Sequence, residues 1–188
     1  MRQYIAFLRG INVGGHRVKM DRLRELFGEL GLSNVSTLIA SGNVIFWTDS
    51  SDVDALSDQI ERHVSRRLGY EVATFLRSPT QLDEIASFRA PGPGEGGVSN
   101  HSVYVVLLPA PASDQLRSSF ACLCTEMDEF VVSGTEVYWQ IRGKLSESPL
   151  FGKGLERALQ GLSTTTRNLN TIRRLAAKSR QGREAAIP

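Results

Sequence analysis

Cysteine, histidine and long apolar runs are all scarce in this chain, and each scarcity removes a class of function. Cys122 and Cys124 are the only cysteines among 188 residues, with Leu123 between them. Residues so close along a strand make a poor disulfide, and two thiols do not complete a structural zinc site. They read as buried, reduced thiols, which fits a reducing cytoplasm. His16, His63 and His101 show no metal-ligand spacing, so no metal and no other cofactor is expected. No apolar stretch approaches the roughly 20 residues that cross a bilayer. The run Tyr4–Leu8 is too short for the apolar core of a secretory signal. No membrane partner is therefore expected.

What is present is an ordinary globular composition, 41% hydrophobic and 22% charged, with an uneven distribution of charge. Residues 1–24 carry six Lys/Arg against the single acid Asp21. Residues 163–188 carry another six against Glu184, so the middle holds ten basic and eighteen acidic residues. Basic ends of this kind either meet an anionic partner or pair with the acidic middle.

Apolar periodicity orders the first half. Tyr4–Leu8 is a strand, and Met20, Leu23, Leu26, Phe27 and Leu30 repeat at helical spacing before Gly31. Val35–Ile39 and Val44–Trp47 are strands flanking the turn Ala40-Ser41-Gly42-Asn43. A helix then follows on Val53, Leu56, Ile60, Val64 and Leu68, and a strand on Tyr70–Leu76. The order βαββαβ is that of the split βαβ, ferredoxin-like motif.

A helix at Pro79–Ser87 precedes the Pro/Gly-rich stretch at 90–97, which reads as a mobile loop or hinge. Beyond it come a buried strand at Ser102–Leu108, a helix near Asp114–Cys124 and a hairpin of Phe130–Val132 with Glu136–Ile141. Helices at Lys153–Leu159 and Thr165 to about Ser179 close the chain. The expected fold is α+β, with a ferredoxin-like subdomain at 1–78 and a second βαββα subdomain at 79–160. A C-terminal helix and basic tail at 161–188 dock on the first. The second half repeats the first half's order without a residue-level repeat, so duplication stays open.

Topology converts sequence distance into contact. In a ferredoxin-like sheet the first two strands end at one edge and the third starts there. Arg9–His16 and Ser41–Asn43 therefore share that edge, beside the start of the first helix. Gly10, Gly14 and Gly15 allow positive φ and close backbone approach, so their N–H groups can converge on an anion. Arg9 and Lys19 add charge, the helix start adds partial positive charge, and Asn12, Ser41 and Asn43 add neutral hydrogen-bonding groups. The same residues equally suit a loop shaped for packing, with its asparagines bonded to backbone. The spacing matches neither a P-loop nor a dinucleotide fingerprint.

A second polar set, Arg167, Asn168 and Asn170, sits at what reads as the start of the last helix, as a ligand face or a docking face. Asp21, Glu25 and Glu29 read as solvated or paired with Arg22 and Arg24. Lys144–Phe151 reads as a surface loop, and Trp47 and Trp139 as strand aromatics of the core. No nucleophile elbow occurs, and no acid, base or nucleophile is nominated, so enzymatic activity stays open.

Leu8-Arg9-Gly10-Ile11-Asn12-Val13-Gly14-Gly15 with Lys19-Met20, then Ser41-Gly42-Asn43-Val44, then Thr165-Thr166-Arg167-Asn168 through Asn170-Thr171, resemble the domain of unknown function 1697 family. The three motifs occur in the family's order, with Leu169 where the family commonly has Trp. The resemblance implies one shared fold and supplies no activity. The leading expectation is a cytoplasmic protein that binds an anionic small molecule or a nucleotide, with nucleic acid a weaker candidate. The alternatives are a structural or oligomerising protein, as a homodimer for instance, and a small-molecule enzyme of unknown reaction.

Overall fold

The structure is a computed structural model, and it describes residues 1–89 and 101–185. The chain divides into two compact units, Met1–Glu84 with Arg173–Pro188, and Ile85–Ile172. The Pro/Gly-rich stretch read as a hinge lies outside the described residues.

The first unit runs β1 (Arg2–Leu8), α1 (Met20–Gly28), β2 (Ser33–Thr37), β3 (Asn43–Thr48), α2 (Val53–Leu68) and β4 (Thr74–Arg77). Its antiparallel sheet has the order β2-β3-β1-β4. Alternation sends Tyr4, Ala6 and Leu8 of β1 into one core, against Leu23, Leu26 and Phe27 of α1 and Leu56, Ile60 and Val64 of α2. α2 is bounded as its sequence dictates. The Asp52 carboxylate accepts from the Ala55 amide at 2.9 Å, and Gly69 ends the helix at φ 79°. The chain after Gly69 stays irregular until Thr74, so β4 starts later than its apolar pattern predicts.

β1 is buried on its other face as well, where Gln3 sits. The last helix, α6 (Leu169–Glu184), reaches that residue. The Ser179 hydroxyl donates to Gln3 Oε1 at 2.6 Å, and Arg183 Nη1 donates to the same oxygen at 3.2 Å. Lys178 Nζ donates to the Thr37 carbonyl at 2.8 Å, and Arg180 and Arg183 pair with Asp83 of α3 (Pro79–Ser87).

The second unit runs β5 (His101–Leu107), α4 (Asp114–Cys122), β6 (Asp128–Ser133), β7 (Glu136–Arg142), α5 (Lys153–Ala158) and β8 (Thr165–Asn168). Its sheet order, β6-β7-β5-β8, is that of the first unit. The βαββα order is therefore completed to βαββαβ, and residues 165–168 are a strand rather than the start of the last helix. Two consecutive β-branched threonines favour extended backbone, and β8 covers the otherwise open edge of β5 in the register Val105↔Arg167 and Leu107↔Thr165. The helix starts only at Leu169, where Asn168 Oδ1 accepts from the Asn170 amide at 2.9 Å.

Val106, Leu108, Phe120, Val137, Trp139, Ile141, Leu155 and Leu159 form this unit's core. Inside it the fully buried Asp128 accepts from Trp139 Nε1 at 2.7 Å and from the Ser148 and Thr125 hydroxyls at 2.8 and 3.2 Å. Cys122 and Cys124 are exposed, not buried. α4 turns only Phe120 fully inward, and Cys122, two residues on, falls on the opposite side of the helix. No helix among the described residues is long and apolar enough to cross a membrane.

Candidate functional site

β1 leaves the sheet between its two neighbours: the Leu8 amide donates to the Gly42 carbonyl and the Arg9 amide to that of Ala73, both at 2.8 Å. The chain then curls over the β2–β3 turn. Gly42 has φ +70°, and a Cβ there would lie 2.9 Å from Ile11 Cβ and 3.1 Å from Leu8 Cβ. Only glycine allows Ile11 to sit so close.

Asn12 (φ 57°) is the tie between loop and turn. Its Oδ1 accepts from the Val18 amide at 2.7 Å, and its Nδ2 donates to the Ala40 carbonyl at 2.8 Å. Asn43 is fully buried, and its Nδ2 donates to Ser41 Oγ at 2.7 Å and to the Leu38 carbonyl at 3.3 Å. Ile39, a β-branched residue 43% exposed, is held at φ 50°, a strained conformation for its type.

The loop therefore has two halves. Asn12, Ser41, Gly42 and Asn43 bond and pack inward. Gly14 and Gly15, at φ 60° and 91°, face solvent with His16, Arg17 and Lys19. Lys19 is the residue on which α1 starts, and no side chain caps that helix. The His16 ring stacks on Tyr70, centroids 3.8 Å apart, and Gly10 lies against the same tyrosine. The Tyr70 hydroxyl is buried with no hydrogen-bond partner, and burial pushes its pKa up. Arg9 is half-buried at the loop's start.

On α1's outer face Arg22 pairs with Glu25 and Glu29, and Arg24 with Asp21. The Arg67 guanidinium, 2.8 Å away, holds the Glu29 carboxyl below the usual carboxylate range. These acids are engaged away from the loop.

Eight of the expected residues, Arg9, Gly10, Asn12, Gly14, Gly15, Lys19, Ser41 and Asn43, thus belong to one structural feature of the first unit. Arg167, Asn168 and Asn170 lie in the second. Arg167 is buried in β8, where its Nη1 donates to Thr165 Oγ1 at 2.7 Å and to the Thr166 carbonyl at 2.9 Å, and burial lowers its pKa to about 10. Asn168 caps α6, and Asn170 is exposed in its first turn. Sequence reasoning missed Gly42 as a packing position and Tyr70 as a loop neighbour. The neighbouring Ser41 and Asn43 were a signal for the first, and nothing local signals the second. Among the described residues no group of three His, Cys, Asp or Glu is placed to hold a metal.

Two successive ferredoxin-like units of equal strand order, with a glycine-rich loop folded over the first sheet's edge, define the class of α+β protein. The chain belongs to the DUF1697 family of proteins of unknown function, matched over residues 1–138, a span that contains the first two motifs and ends before Thr165. The solved structure of the conserved bacterial protein SP0830 from Streptococcus pneumoniae covers 96% of this chain and 99% of its own. Its TM-score of 0.76 at 21% identity shows a common fold. No curated protein matches the chain.

Proposed function

We propose that the chain binds an anionic ligand, bearing phosphate or carboxylate, on the outward half of the β1–α1 loop. A nucleotide or nucleic-acid backbone is the larger form of the same chemistry. The observation that carries this reading is the uncapped start of α1 on Lys19, beside exposed Arg17 and two exposed glycines in left-handed conformation. Free N–H groups at a helix start attract negative charge, and the two cations add to that attraction. A reducing, cytoplasmic setting belongs to the proposal, supported by the two exposed free thiols of Cys122 and Cys124.

Thermal shift and titration calorimetry with inorganic phosphate, citrate, AMP and a short single-stranded RNA, each at two salt concentrations, test it. At least one probe should raise the Tm, less so at high salt. The double variant R17E/K19E should abolish that rise and leave the unliganded Tm unchanged. No shift with any of the four probes overturns the reading.

A second reading is favoured by the inward bonds of Asn12 and Asn43: the motifs specify the fold, and the partner is another copy of this chain. Under it, N12A and N43A lower the Tm, no anion shifts it, and the chain sediments as a dimer.

A further inference from the structure

His16 is the one ring-bearing side chain of the β1–α1 loop, and it lies flat against Tyr70 with the two planes inclined by 21°. The tyrosine is partly buried and its hydroxyl is closed to solvent, so it is a fixed backing for the imidazole. His16 itself is exposed. With one face of the ring covered by Tyr70 at 3.8 Å, the opposite face is the one left to solvent. A flat ring backed on one side and open on the other is a platform on which nucleobases stack, whatever their identity.

The backbone around this ring is held in place. Asn12 closes the loop on Val18, accepting from its amide at 2.7 Å and donating to its carbonyl at 3.3 Å. The His16 amide donates to the Val13 carbonyl at 3.1 Å. Val18 is buried, whereas Arg17 before it and Lys19 after it are exposed. Anchoring the valine inward thus leaves both neighbouring cations on the solvent side, and neither is in an ion pair among the described residues. Val13, 58% exposed, adds an aliphatic surface to the same loop. Residues 13–19 therefore present a π-face, two cations and an apolar side chain together.

We propose that the ligand of this loop is a nucleobase joined to a phosphate, with the base on the free face of His16 and the phosphate held by Arg17 and Lys19. The proposal rests on the anion-binding reading of the loop and adds the aromatic half of the ligand. A bare anion such as phosphate or citrate leaves the ring and Val13 unused. Stacking engages the π-face that every base has, so the loop takes purines and pyrimidines alike. A free nucleotide and a single RNA strand offer the same chemistry.

Calorimetry on the full chain with AMP, UMP and ribose 5-phosphate, which keeps the phosphate and lacks the base, tests the proposal. AMP and UMP should each bind at least about tenfold more tightly than ribose 5-phosphate. His16→Ala alters an exposed side chain and should bring AMP within about threefold of ribose 5-phosphate measured on the same variant. His16→Phe restores a flat ring and should keep the tenfold preference. A pentamer of oligoadenylate that binds more tightly than AMP identifies a single strand as the source of the base, and equal affinity identifies the free nucleotide. Ribose 5-phosphate binding as tightly as AMP overturns this proposal alone and leaves the anion reading standing. A preference for AMP that survives in H16A also overturns it. Absence of binding by all of these probes overturns both readings together.

Discussion

Ser179 donates a hydrogen bond to Gln3 across 176 positions of sequence, in a buried setting where the Gln3 amide also donates back to the Ser179 carbonyl at 3.3 Å. This reciprocal pair fastens the last helix to the first strand. Ser179→Ala leaves a buried amide oxygen with only Arg183, and removing one partner of a buried bond costs about 1–3 kcal/mol. Urea unfolding should show that loss in the midpoint with an unchanged slope.

The glycines of the opening loop and its neighbouring turn are not equivalent. At Gly42 a Cβ collides with Ile11 and Leu8 in addition to the positive-φ penalty, whereas at Gly14 nothing lies within 4 Å of the added atom. Gly42→Ala should cost about 3 kcal/mol from strain and overpacking together. Gly14→Ala should cost only about 1 kcal/mol, the conformational share. Equal losses in chemical denaturation would refute the packing role of Gly42.

Ile39 is held in the left-handed region although β-branched and largely solvent-facing. Asparagine tolerates that conformation and sacrifices little burial at this position. Ile39→Asn should therefore stabilise the protein by about 1 kcal/mol, the low end of what such strain stores. A fall in Tm would show that the isoleucine side chain makes a contribution larger than its strain.

Tyr70 carries a buried hydroxyl without a partner and a pKa raised by burial. The fold favours the neutral phenol, so this contribution is intact below the unfolded pKa near 10 and is lost as pH rises through the higher folded value. Tyr70→Phe should be at least as stable at neutral pH, by up to about 1 kcal/mol. The stability difference between the two proteins should widen in favour of Y70F above pH 10. Parallel stability profiles across that range would contradict it.

The first unit was legible because its signals are local. Leu23, Leu26 and Phe27 on one helix, Leu56, Ile60 and Val64 on another, and the Ser41–Asn43 turn each announce an element, and one known topology joins them. β8 was hidden for the opposite reason. Four residues abutting a long helical pattern carry little local signal, and their strand state depends on pairing with Tyr104–Leu107, about sixty positions away. The shared edge of the loop and turn was legible, but its direction was not. Asn12 is satisfied by the backbone of Val18 and Ala40, and backbone atoms leave no trace in residue identities. Gln140 gave no signal because a single glutamine in Val-Tyr-Trp-Gln-Ile-Arg looks like ordinary strand alternation; only the packed structure shows that the residue is buried.

α6 begins in the second unit and supplies residues 173–184 to the first. That division has a consequence for the order of events on a ribosome. The first unit is synthesised first, yet Gln3 of β1 has no Ser179 or Arg183 to bond until the final helix leaves the exit tunnel. The second unit, by contrast, has all its strands once residue 168 has emerged. The half of the protein that is translated first is therefore the half that is finished last, and a nascent chain halted before residue 173 has all four strands of the first sheet but not the helix that bonds to Gln3.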